Sequence, residues 1–180
     1  MTDEAPLGET GAGLVPTGAG WFVVNVRDAV WETNAQFGSV GTFEHPDRRF
    51  PGFGIDVAVL RPGQPNCYYH REARQESFLV LSGECLLLVE GVERRLGAWD
   101  FVHCPAWTEH VFVGAGDGPC AILMVGQRPD PDDVVYPVSE VALSRGAGVE
   151  VEVDRPSDAY AQSPKDRPGR PERWDALPWG

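Results

Sequence analysis

From Gly54 onward, the pattern of apolar and polar positions sharpens into short strand-like runs: residues 55–60, 68–72, 77–81, 85–90, 92–96, 100–104, 110–113 and 120–126. The runs break at Pro62-Gly63, Ser82-Gly83, Glu90-Gly91, Gly97, Pro105 and the stretch 114–119. Many short strands at near-regular spacing, parted by turn residues, predict a β-sandwich or a closed barrel. Strands do not alternate with helices, which argues against a doubly wound α/β fold.

The flanks are less regular. Residues 1–20 are glycine-rich without an apolar period and read as a loose arm. Residues 21–30, beginning Trp21-Phe22-Val23-Val24, read as a first strand. Residues 31–52 mix aromatics with Gly, Asn, Asp and Pro and predict no clear element. One helix is expected after the barrel. Ser139 can cap the N–H groups that follow it, Glu140 suits the positive end, and Gly146 stops the helix. Residues 146–180 are rich in Pro, Asp and Arg, yet hold Tyr160, Trp174 and Trp179, which a disordered tail seldom keeps. One helical turn at 158–162 and an anchor at Leu177-Pro178-Trp179 are expected there. The organisation expected is one domain over 1–180: an arm at 1–20, a barrel core at 50–126 and a wrapping extension at 127–180.

Composition narrows the class. With 42% hydrophobic and 23% charged residues, the chain is neither disordered nor fibrous. Its net charge of −12 opposes binding to polyanions, so neither nucleic acid nor an anionic membrane is an expected partner. No run approaches the ~20 apolar residues of a membrane span. The acidic start Met1-Thr2-Asp3-Glu4 is unlike a secretory leader, and a cytoplasmic location is expected. Cys67, Cys85, Cys104 and Cys120 form no C-x2-C pair and read as buried thiols.

Candidate chemistry sits on the few histidines. Alternate side chains of a strand share a face, so Tyr68, His70 and Glu72 point one way and Cys67, Tyr69 and Arg71 the other. Glu76 opens the next strand, and His110 opens another after the turn at 105–109. Two imidazoles and two carboxylates form a mixed N/O set that suits iron, zinc, manganese or nickel. The plainer alternative is interior histidines satisfied by hydrogen bonds and carboxylates solvated at a barrel mouth. His103 shares strand parity with Phe101, and His45 reads as solvent-facing. Glu109 should face away from His110. Trp99 and Trp107 read as packing groups. No G-x-G-x-x-G follows a strand, so no nucleotide fingerprint is present.

These residues resemble the motifs of the cupins. That family's first motif runs His-x-His, three or four residues, Glu, six residues, Gly. Here His70-x-Glu72, three residues, Glu76, six residues and Gly83 keep the spacing, with Glu72 in the second histidine's place. The second motif runs Gly, five residues, Pro-x-Gly-x-x-His, three residues, Asn. Here Trp99, Pro105-x-Trp107-x-x-His110 and Gly114 keep the spacing, but not both glycines or the Asn. Phe78-Leu79-Val80-Leu81-Ser82-Gly83-Glu84 is similar to the segment between the motifs. The resemblance covers about residues 50–126. It implies an all-β, cupin-type double-stranded β-helix or jelly-roll barrel with short helical and irregular extensions.

Carried over by position, the resemblance implies one divalent transition metal (Fe, Zn, Mn or Ni) held by His70, Glu72, Glu76 and His110. The expected function is a metal-dependent enzyme acting on a small molecule, of oxygenase, isomerase or lyase class. A small-ligand-binding cupin without catalysis, or a structural barrel without metal, are the alternatives. A homodimer is also expected, because relatives pair through barrel faces and Trp21, Trp31, Trp174 and Trp179 on the flanks need surfaces to dock on.

Overall fold

Period-two alternation turns one face of each strand inward, and turn residues fold the strands back on each other. The computed structural model describes residues 3–128 and 133–180; Met1, Thr2 and residues 129–132, parts of the expected arm and extension, lie outside the described residues. The strands are β1 (Leu7–Thr10), β2 (Gly13–Pro16), β3 (Val30–Asn34), β4 (Gly38–Thr42) and β5 (Phe53–Leu60). Next come β6 (Arg71–Glu72), β7 (Glu76–Ser82), β8 (Glu84–Val89), β9 (Val92–Gly97) and β10 (Phe101–Cys104). They are followed by β11 (His110–Ala115), β12 (Cys120–Gln127) and β13 (Val134–Val135). The extension adds α1 (Glu140–Ser144), α2 (Pro156–Ala159), β14 (Arg167–Pro168) and a 3-10 turn at Trp174–Ala176.

The main sheet has the order β10-β7-β12-β5-β4-β3-β14 and faces a second sheet, β11-β8-β9. Every strand pairing is antiparallel, giving a jelly-roll barrel. Leu60, Val80 and Ile122 from the main sheet meet Cys85, Leu87 and Phe112 from the second to form the core between them. Cys85, Cys104 and Cys120 are buried free thiols, and Cys67 is half-buried.

The outer face of the main sheet is apolar too. Trp31, Val57, Val59 and Ala121 would be bare there without the extension, which covers them with Leu177, Trp174 and Trp179. The Trp31 ring lies 5.5 Å from that of Trp174 and 5.9 Å from that of Trp179. Three of the four tryptophans that motivated the dimer expectation therefore dock on their own chain, and only Trp21 is exposed. The helix at α1 forms as its sequence predicts. Ser139 Oγ accepts from Ala142 N at 3.3 Å, and Gly146 takes a left-handed φ of 68°.

Several expectations change. The glycine-rich arm contains the hairpin β1–β2, whose tight end is closed by Thr10 Oγ1 donating to Gly13 O at 2.8 Å. The expected strand at 21–30 does not form. Trp21 and Val23 face solvent, and Asn25 nucleates a turn by accepting from Arg27 N at 2.9 Å, so the first strand of the main sheet starts only at Val30. Trp99 and Trp107 are exposed rather than packed. His103 is exposed and paired with Ser77 at 3.1 Å. Among the described residues, no helix is long and apolar enough to cross a membrane.

Candidate metal centre

His70 precedes β6 and His110 begins β11, and a β-bridge ties them together. His70 N donates to His110 O at 3.2 Å, and His110 N donates to His70 O at 2.9 Å. Directly opposed residues of an antiparallel pair project to the same side, and the two ring centroids lie 4.9 Å apart. Glu76, first residue of β7, is paired with Gly126 of β12. A Cβ at Gly126 would come within 3.3–3.4 Å of the Glu76 side chain, so the glycine gives that carboxylate room.

Ligand-type atoms of His70, Glu76 and His110 lie within 4.8 Å of one another. Glu76 Oε2 is 3.1 Å from His110 Nε2 and 4.0 Å from His70 Nε2. Each imidazole is pinned by its other nitrogen. His70 Nδ1 sits 2.9 Å from Tyr68 O, and His110 Nδ1 sits 3.0 Å from Thr108 O. A carbonyl only accepts, so each Nδ1 carries a hydrogen, and each ring in its neutral form turns an Nε2 lone pair inward. Glu76 Oε2 is buried without a hydrogen-bond partner, because its approach to His110 has an ion-pair distance but not hydrogen-bond geometry. Three acceptors thus converge on one point, which is costly unless a cation lies among them. Atoms held ~2.0–2.2 Å from one ion stand ~3–4 Å from each other, which matches these separations. Backbone carbonyls that fix imidazole orientation are a usual support for metal-binding histidines. The residues present fit a divalent metal.

Without an ion, burial and charge act on these groups in opposing directions. Burial, then the charge of His110, pushes His70 down to about 4. Burial also pulls on His110, but the adjacent Glu76 carboxylate outweighs it and holds His110 above its ordinary value. Burial would raise Glu76, yet the close approach and charge of His110, with the charge of His70, leave it lowered. Glu72 is buried and lies outside the group of three. Burial, then the Glu76 charge, pushes its carboxyl up to about 7.

The cupin-domain family matches residues 56–126, the stretch from β5 to β12 that carries His70, Glu76 and His110. This stretch is a cupin domain. Among solved structures, this cupin is similar to the polyketide cyclase RemF from Streptomyces resistomycificus, at 18% identity and a TM-score of 0.53, over 61% of this chain and 81% of that one. It is also similar to a protein from Acidithiobacillus ferrooxidans described as a candidate sugar phosphate isomerase, at 29% identity and a TM-score of 0.43, over 47% of this chain. The match spans about half of that protein, 54% of its length. A third, the DMSP lyase DddQ from Ruegeria pomeroyi, is 24% identical with a TM-score of 0.40, over 47% of this chain and 43% of that one. No curated protein matches the chain.

Other groups complete the surroundings of this cupin's site. Phe78 packs against His110 at 5.3 Å and Tyr136 against His70 at 5.8 Å. Tyr160, brought in by the extension, packs on Tyr136 at 5.7 Å, and its hydroxyl accepts from Tyr68 N at 3.1 Å. Nothing in the spacing marks Tyr136 as a neighbour of His70, or Tyr160 as a neighbour of Tyr136 and Tyr68. Glu109 turns away from the site and pairs with Arg71 at 2.7 Å. His45 is half-buried rather than open to solvent, its Nδ1 accepting from Asp47 N at 3.1 Å.

Proposed function

We propose that this cupin is a metal-dependent enzyme acting on a small molecule. His70, Glu76 and His110 hold one divalent transition metal (iron, zinc, manganese or nickel), with Glu72 as the fourth ligand. The observation that carries this reading is the convergence of three acceptor atoms, Glu76 Oε2 among them buried and unpartnered, with both imidazoles locked by backbone carbonyls. A bound divalent ion supplies Lewis acidity, polarising a substrate oxygen or acidifying a water. The chain supplies the rest. Tyr68 O and Thr108 O hold the two Nδ1 protons in place, so both Nε2 atoms face inward. Phe78 and Tyr136 pack on the imidazoles, restrict their rotation and keep bulk water from that side. Oxygenase, isomerase and lyase chemistry all use such a centre.

The test is metal analysis of folded protein after reconstitution, with circular dichroism confirming the fold. Wild type should retain about one ion per chain. His70→Ala, Glu76→Ala and His110→Ala should each lose most of it, while His45→Ala keeps it. A wild type that retains none of the four metals overturns the reading. Full retention by Glu72→Ala would remove Glu72 from the ligand set. Metal-loaded protein inert towards oxygenase, isomerase and lyase substrates would reduce the function to ligand binding.

A further inference from the structure

The outer face of the main sheet, turned away from the metal centre, carries a cleft of its own. Arg167 of β14, Thr33 of β3, Ser39 of β4 and Val59 of β5 stand directly opposite one another in turn. Opposed residues project to one side, and Val59 belongs to the outer apolar face with Trp31, so the row lies outside the barrel. Between this row and residues 164–172 of the extension is a cleft of about 730 Å³. That volume falls within the ~300–1,000 Å³ of small-molecule sites.

The charge of this cleft is opposite to that of the chain. The sequence holds 15 basic residues against 27 acidic. Arg61, Lys165, Arg167 and Arg170 all line the cleft, with Glu172 as its one carboxylate among the described residues. Glu172 is taken up by Arg61, whose Nη1 lies 3.1 Å from Oε2. Asp166 stands nearby, but its carboxylate accepts from Asn34 Nδ2 at 2.7 Å and borders a neighbouring cavity. Among the described residues, Lys165, Arg167 and Arg170 form no ion pair. The Arg170 guanidinium lies 4.7 Å over the Trp174 ring, and its Nη2 donates to Arg27 O at 3.2 Å. Lys165 and Arg167 are exposed at the rim. Three uncompensated cations around one cleft, in a chain of net charge −12, form a local field that draws anions. Gln64, 8% exposed, also lines the cleft. Its Oε1 accepts from Arg61 N and Nε at 3.2 and 3.4 Å, which fixes the amide orientation, and its Nε2 donates to Ala35 O at 3.2 Å. An amide nitrogen carries two hydrogens, and among the described residues the second has no acceptor. A buried donor left unpaired is costly, and an anion in the cleft would relieve it.

We propose that this cleft binds a small, multiply charged organic anion, held through its phosphate or carboxylate groups by Lys165, Arg167 and Arg170. Guanidinium forks match the oxygens of either group. The site is separate from the metal centre and does not rest on that reading. One wall belongs to the barrel and the other to the extension, so the bound anion ties the two together and stabilises the seated extension.

The experiment titrates the full chain by amide-resolved NMR at constant ionic strength, with and without added zinc. The probes are glycerol 3-phosphate beside glycerol, and glutarate beside glutaramide. At least one dianion should bind about tenfold or more tightly than its neutral partner, the worth of one charge-assisted hydrogen bond. Its shifts should centre on residues 165–170 and on Thr33 and Ser39, and should be the same with and without zinc. The arm that binds more tightly tells phosphate from carboxylate. Lys165→Gln with Arg167→Gln should weaken the dianion about tenfold and leave the far-UV dichroism melt of the free protein unchanged, because neither side chain makes a hydrogen bond or ion pair among the described residues. Arg94→Gln, which removes one positive charge from β9 on the other sheet, should leave binding unchanged. Should the double variant melt lower, Lys165→Gln alone, outside any strand, should still weaken binding about threefold. Equal affinity for dianions and neutral partners overturns the site, as does no binding at millimolar concentration. Shifts centred on residues 70–76 and 110, binding that survives the Lys165 and Arg167 variants, or an equal loss in Arg94→Gln overturn it too.

Discussion

Trp99 and Trp107 hold a backbone conformation that L-residues resist, with φ of 74° and 68°. Both stand where related cupins carry glycine, and the left-handed φ is the physical reason glycine suits those places. The conformation costs a non-glycine residue ~1–2 kcal/mol. Trp99 recovers little of that by burial, since it is 74% exposed, and its backbone bond to Val80 O at 2.7 Å needs no side chain. After allowance for the extra freedom glycine gives the unfolded chain, Trp99→Gly should stabilise the protein by about 1 kcal/mol and raise Tm by about 2–4 °C. A lower Tm in a calorimetric scan would mean the indole makes contacts worth more than the strain. Asp56 carries a different cost. Burial, then Glu44, pushes its carboxyl from 3.8 to about 6, against the opposing pull of Arg128 and Arg49. The folded state binds this proton more tightly than the unfolded state, so stability falls as pH rises from about 4 to about 6 and the cost is complete above that. Asp56→Asn should therefore stabilise the protein at pH 7, by on the order of 2 kcal/mol, and give no gain below pH ~4. Urea midpoints of variant and wild type at the two pH values measure this, and an equal gain at both would contradict the account.

At the scale of elements, the wrapping extension is held by a strand pair and an apolar anchor. β14 pairs with β3 through Arg167 and Thr33, and Asn34 Nδ2 donates to Pro164 O at 2.7 Å. Leu177 then buries itself beside Trp31. Leu177→Ala should cost ~2–3 kcal/mol and lower Tm by about 4–12 °C. Metal retention should be unchanged, because Leu177 sits on the outer face of the sheet whose inner side carries Glu76. A Tm equal to that of wild type would show that the anchor is not needed. The strands from β5 to β12 were legible in the sequence because most are short runs of apolar and β-branched residues bounded by turn residues. The hairpin β1–β2 was not, because its glycines hide any alternation. Residues 21–30 misled for the opposite reason. Their β-branched and aromatic residues favour a strand, but among the described residues those before Val30 are paired only by isolated bridges at Trp21 and Ala29.

For the whole molecule, what could be read depended on how far apart in sequence the cooperating residues lie. His70, Glu72 and Glu76 fall within one motif, and His110 follows at a spacing the fold family shares, so the candidate ligands stood out before any geometry was known. Which of them converge did not: the group of three leaves Glu72 aside. Asp56 and Arg128 meet only through the register of β5 with β12, and Tyr136 and Tyr160 reach the site from the extension, so no local pattern announces them. The docking of the extension has one more consequence, for spectroscopy. Trp31, Trp174 and Trp179 are packed together, whereas Trp21, Trp99 and Trp107 are at least half exposed and emit into water whether the chain is folded or not. Intrinsic fluorescence of this protein thus responds as soon as the extension is unseated, and a melt followed by emission and one followed by far-UV dichroism record two separate events whenever the wrap lets go first.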